Sequence, residues 1–115
     1  VSSRVSELWS QWHYFNGRFF GGKLRPPRVI RITSARSYDG YIVYDPVRTH
    51  RPVGIYLSTH QSRAAMTGTL LHEMVHQYQR EVLGLRELDH GPVFRGLAKH
   101  IEQRTKFIVR VNRLG

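Results

Sequence analysis

The sequence predicts an α+β domain with a small mixed sheet. Apolar residues recur at intervals of three and four near the start, in the middle and towards the end of the chain, which is the helical period. Between the first two of these stretches lie three short β-rich runs bounded by Gly, Pro and Asp.

Residues 3–20 read as an amphipathic N-terminal helix. Val5, Leu8, Trp9, Trp12, Phe15 and Phe19 make one stripe, with Ser2 or Ser3 as its cap. That spacing marks the aromatics as core. Gly21-Gly22 ends the helix. Pro26-Pro27 forces an extended entry into a first strand, 28–33. A turn at Asp39-Gly40 leads to a second, 41–44, and Asp45-Pro46 opens a polar loop through His50, Arg51 and Pro52. Val53, Ile55 and Leu57 alternate with Gly54, Tyr56 and Ser58 in a third, 53–58. A polar loop, 59–63, precedes a long helix, 63–83, stopped by Gly84. The loop 84–91 holds Glu87, Asp89 and His90, and Pro92 suits the first turn of a C-terminal helix, 92–103. Phe107, Val109 and Val111 alternate in a last strand, 106–111. No repeat, low-complexity tract or linker interrupts residues 1–115, so a single domain is expected.

Composition narrows the chemistry. Cysteine is absent, which removes disulfides and thiolate ligands, so a metal must sit on His, Asp or Glu. The lack of Cys fits a reducing compartment. No apolar run nears the roughly 20 residues of a membrane span, and no signal-peptide pattern opens the chain, so an intracellular protein of cytoplasm or nucleus is expected, with no membrane role. The chain opens on Val, as a piece of something longer would.

Charge is lopsided: 18 Lys+Arg against 8 Asp+Glu, a net +10, and 15 of the 18 are Arg. Arg forks onto phosphate and stacks on flat rings, so DNA or another polyanion is the expected partner, against the plainer reading of solubility. Arg18, Lys23, Arg25, Arg28, Arg31 and Arg36 form one group. Arg95, Lys99, Arg104, Lys106, Arg110 and Arg113 form another, interrupted only by Glu102. If the groups share a face they track a phosphate backbone. The sequence carries no signal for oligomeric state.

The chemistry concentrates in Leu70-Leu71-His72-Glu73-Met74-Val75-His76, an H-E-x-x-H motif with apolar flanks. On a helix, His72 and His76 share one face and can grip a Zn²⁺ ion, while Glu73 is placed to act as general base. Catalytic zinc needs a third protein ligand. His90, His100, Glu81, Glu87 and Asp89 are the candidates. The metzincin continuation is absent, since Gln79 and Val82 stand where it requires Gly and His. Met74 reads as core packing, and His13, His50 and His60 as surface or packing residues.

Three segments together resemble the SprT-like (Spartan-type) zinc metalloproteases: Phe15-Asn16-Gly17-Arg18-Phe19-Phe20-Gly21-Gly22-Lys23-Leu24, the H-E-x-x-H run, and His90-Gly91-Pro92-Val93-Phe94. The resemblance spans nearly the whole chain. It implies a zincin-like fold, one Zn²⁺ per chain on His72, His76 and His90, and Glu73 as the base. It also implies endopeptidase action on DNA-bound proteins, including DNA–protein crosslinks. Under it the 53–58 strand is expected to pair with an extended substrate. Many family members carry a Cys-rich zinc ribbon, and this chain has no Cys.

Peptide hydrolysis further needs a donor for the developing oxyanion, and Tyr38, Tyr41, Tyr44 and His100 are available. From another class, a zinc-stabilised nucleic-acid-binding module has no need of a base at Glu73. A DNA-independent metallopeptidase would leave the charge incidental.

Overall fold

A computed structural model describes residues 3–86 and 88–109. The order is α1 (Ser3–Phe19), β1 (Val29–Thr33), β2 (Gly40–Tyr44), β3 (Pro52–Ser58), α2 (Arg63–Gln77) and α3 (Pro92–Arg104). The α+β class is as expected. The middle helix differs: α-geometry stops at Gln77, and a π-helical turn, Tyr78–Val82, carries the chain on, with Leu83 N–H bonded to the Tyr78 carbonyl at 3.1 Å.

The sheet order is β1-β3-β2, with β3 parallel to β1 and antiparallel to β2. β3 inserts between the two earlier strands, so both its edges are taken. This overturns the expectation that residues 53–58 pair with substrate; the edge beside the motif helix belongs to β2. Ile30, Ile55 and Leu57 are buried, and α2 packs against β2 and β3. The approach is tight at Gly40, where a Cβ would come within 2.6 Å of the Thr69 methyl group.

α1 buries Leu8, Trp12 and Phe15, and packs on α2 and β1. Its end is fixed by Asn16. The Asn16 carbonyl accepts from Phe20 and Gly22, while its side chain bonds both N–H and C=O of Leu24 at 3.0 and 3.1 Å. Gly21 and Gly22 take φ of 63° and 70°, a left-handed pair that turns the chain towards the sheet. Ser2 lies outside the described residues.

α2 is an interior helix. Ser62 caps it by accepting from Ala65 N–H at 3.1 Å, and every residue from Met66 to Gln77 is buried. Its polar members reach partners on other elements: Thr67 bonds Gln11, Thr69 bonds Gln61, and Gln77 accepts from Trp12 Nε1 at 2.8 Å. Trp12, Phe20 and Phe94 are the largest side chains sealed around it, each contributing about 1.5–3 kcal/mol by leaving water.

No strand forms over the described part of the expected last one, residues 106–109. Residues 107–109 join no sheet, and 110–111 lie outside the described residues. Instead this segment lies against α2 at Gly68, where any Cβ would overlap the Ile108 carbonyl oxygen. Val109, although part of an apolar alternation, is buried by helices rather than paired with a strand.

Candidate metal centre

His72 and His76 project one turn apart from α2, and His90 returns to them from the loop before α3. His90 Nε2 lies 3.1 Å from His72 Nε2 and 3.2 Å from His76 Nε2. The three are the group of possible ligands that comes together among the described residues.

The far side of each helix imidazole sets its tautomer. His72 Nδ1 lies 2.6 Å from the Val109 carbonyl, and His76 Nδ1 lies 2.7 Å from Gln79 Oε1. Both partners accept, so both Nδ1 atoms carry the proton and both Nε2 lone pairs point inward. A proton on His90 Nε2 serves at most one of them well. Three imidazole nitrogens crowded in this way fit a divalent cation with nitrogen ligands.

Two supports hold this arrangement. Phe94 is 1% exposed, and its ring centroid lies 4.7, 4.9 and 4.8 Å from those of His72, His76 and His90. Val109 is clamped from both sides, because its N–H donates to Glu102 of α3 at 2.8 Å while its carbonyl takes His72. Neither Gln79 nor Glu102 is legible as a site residue from the motif. The only local signal is that Gln79 follows His76 by three, one turn along the helix.

The other third-ligand candidates are engaged elsewhere. Glu81 accepts from Arg25 N–H, Tyr44 OH and Gln77 Nε2 at 2.7, 2.8 and 2.9 Å. Burial nevertheless raises its carboxyl above the usual value, the hydrogen bonds only partly offsetting this. Asp89 Oδ1 accepts from Gly91 N–H at 3.1 Å and so shapes the turn that presents His90. His100 is exposed on α3 with its ring against Phe19. Glu87 lies outside the described residues.

Glu73 is 1% exposed and lines an open cavity of about 350 Å³ with Tyr41, Ile42, His76, Leu88 and His90. Of the four candidate oxyanion donors, Tyr41 alone lines this cavity. Burial, reinforced by neighbouring Tyr38, pushes the Tyr41 phenol above its usual value and keeps it a donor. Tyr44 is bound to Glu81, and Tyr38 to Thr33 at 2.9 Å.

Met74 is fully buried in the core, as expected. His13 stacks on Trp9, His50 is exposed, and His60 bonds the Tyr38 carbonyl and Asp39 carboxylate, both at 2.9 Å. The basic residues separate. Arg25 and Arg28 line one cavity with Arg51, whereas Lys106 lines another with Asp39, Gln61 and Phe107. Arg95, Lys99 and Arg104 are exposed on α3, Lys23 is exposed in the turn after α1, and Arg18 lies 5.1 Å over the Phe19 ring. Arg110 and Arg113 fall outside the described residues.

A central helix bearing H-E-x-x-H, with a third imidazole returned from the following loop, defines a metal-site α+β domain of the metalloprotease type. Within that class the chain belongs to the SprT-like family, whose model matches residues 10–113. No curated protein sequence matches the chain. No described helix is long and apolar enough to cross a membrane.

Proposed function

We propose that this domain is a zinc-dependent endopeptidase that acts on DNA-bound proteins, DNA–protein crosslinks among them. The observation that carries the peptidase reading is the convergence of three imidazole nitrogens beside the buried carboxylate of Glu73, in a cavity open at the edge of β2. The DNA role draws on family resemblance and on the net charge of +10.

His72, His76 and His90 would hold the ion. Bound Zn²⁺ supplies a Lewis acid that polarises a scissile carbonyl and lowers the pKa of water to about 7. Glu73 takes the proton of the attacking water and passes it to the leaving amine. Tyr41 donates to the oxyanion. β2, an edge strand of the sheet among the described residues and next to the cavity, takes an extended substrate as an added antiparallel strand, which aligns the peptide without reading its sequence.

The test pairs metal content with turnover. Glu73→Gln is expected to keep one zinc per chain and a normal fold while losing most cleavage of a DNA-bound protein. Full activity in that variant would exclude Glu73 as the base. A wild-type domain that holds zinc but cleaves neither DNA-bound nor free substrates would favour the zinc-stabilised binding module instead.

A further inference from the structure

The metal cleft continues along α2 towards the N-terminus of that helix. Thr69 precedes Glu73 by four residues, so the two share a face one turn, about 6 Å, apart. β2 runs the same way beside it: Ile42 stands with Glu73 in the metal cavity, while Gly40 meets Thr69. Beyond Gly40 and Thr69 a second cavity opens, of about 400 Å³. Ala65 and Thr69 line it from α2, Asp39 and Gln61 from the sheet side, and Phe107 and Ile108 from the segment after α3. That last segment is fixed to the metal site. The Ile108 carbonyl sits against α2 at Gly68, and the next carbonyl, of Val109, holds His72.

The polar groups around this second cavity already engage one another. Gln61 Nε2 donates to the carbonyls of Asp39 and Ser58 at 2.8 and 3.0 Å, and its Oε1 accepts from the Thr69 hydroxyl at 2.7 Å. Ser62 Oγ accepts from Ala65 N–H, and the Asp39 carboxylate pairs with His60 at 2.9 Å. What faces a ligand is then mainly hydrocarbon. Ala64 and Ala65 are exposed, Phe107 is half-buried, and Ile108 is 67% exposed. Lys106 is the one charged lining residue with no ion pair among the described residues. An apolar side chain seated here would leave water and cover Ile108.

Strand direction decides which substrate residue reaches this place. A peptide added antiparallel to β2 runs from the Tyr44 end to the Gly40 end. With its scissile carbonyl over Glu73, the chain that follows the bond passes Thr69. A short side chain there ends over Glu73, one helical turn from the cavity, whereas a long one reaches into it. We propose that the cavity beside Ala65 and Ile108 holds the side chain immediately after the scissile bond and selects a large apolar one, such as Phe, Leu or Tyr. This deepens the endopeptidase reading above and rests on it for its purpose, but peptide binding itself needs no turnover.

The test uses the zinc-loaded domain and unstructured peptides varied at each position around one cleavage site, with the products identified by mass spectrometry. Phe directly after the cut should give kcat/KM at least about tenfold above Ala at that position. Ala65→Leu fills the cavity from an exposed helix position and should bring this Phe-to-Ala ratio below about threefold. Val47→Ser, at an exposed apolar residue between β2 and β3, should leave the ratio as it is. Labelled Phe and Ala peptides are also titrated onto zinc-loaded Glu73→Gln, where the Phe peptide should bind at least about fivefold more tightly and added Ala65→Leu should remove the difference. Circular dichroism checks that each variant is folded. A preference read only at the residue before the cut would reverse the strand direction and overturn the placement. A preference for Asp or Glu after the cut would make Lys106 the selector and overturn the apolar assignment. Cleavage indifferent to the following residue, or an equal ratio in wild type and Ala65→Leu, would overturn the cavity and leave the peptidase reading standing. Selective binding of the Phe peptide without any cleavage would do the reverse. A domain that neither binds nor cleaves these peptides would overturn both.

Discussion

Gln79 orients one metal-site histidine and ties down the loop that carries another. Its Oε1 lies 2.7 Å from His76 Nδ1, and its Nε2 donates to the Asp89 carbonyl at 3.2 Å and carboxylate at 3.3 Å, one residue before His90. The side chain is fully buried at the entry to the π-helical turn. Gln79→Met keeps the length and removes the amide. Metal affinity, measured by competition with a chelator, should fall about 10–100-fold while far-UV circular dichroism is preserved. An unchanged affinity would mean that packing alone orients His76.

Gly68 is required for space. A methyl group there displaces the Ile108 backbone and with it the Val109 carbonyl that holds His72. Gly68→Ala should therefore lower stability by about 1–3 kcal/mol in urea unfolding and weaken metal binding as well. Wild-type values for both would show that residues 107–109 yield freely.

Phe94 supports all three rings at once. Phe94→Ala should destabilise the fold by about 3–5 kcal/mol, because a large side chain is deleted from a sealed position. Phe94→Leu should recover part of the stability, yet leave metal affinity below wild type, since the flat contact with the imidazoles is lost. If Phe94→Leu matched wild type in affinity, the ring would be filler only.

Glu81 gives stability a pH dependence of known sign. Its folded pKa is raised above the ordinary 4.5, first by burial. A raised carboxyl pKa means that the folded state favours the protonated form. Its contribution is fully present below the unfolded value and declines as pH rises through the folded one. Glu81→Gln has no such decline. The difference in melting temperature, variant minus wild type, should therefore increase from about pH 4 to about pH 7. A difference that shrinks with rising pH would mean that the hydrogen bonds from Arg25, Gln77 and Tyr44 outweigh burial.

Local periodicity is what a sequence states directly, and the legible parts of this protein are local. The stripe from Leu8 to Phe15 and the i, i+4 spacing of His72 and His76 follow from 3.6 residues per turn, so α1, α2, two candidate ligands and Glu73 can be read without coordinates. His90 follows His76 by 14 residues with no period to link them, and only its resemblance to a family segment singles it out. Alternation in residues 53–58 says which side chains share a face, but not which strands lie on either side, because pairing partners are set by closing loops of different length. β3 is therefore central rather than a free edge. The same alternation in residues 107–109 signals burial, and tertiary packing decides that the burial is against α2. The Val109 carbonyl reaches His72 across 37 residues, and Arg51 meets Arg25 and Arg28 only because β3 inserts beside β1. Sequence by itself determines the helix that presents the chemistry. Tertiary structure decides what fixes each imidazole and which charges meet, because hydrogen bonds and cavities form between segments brought together by folding.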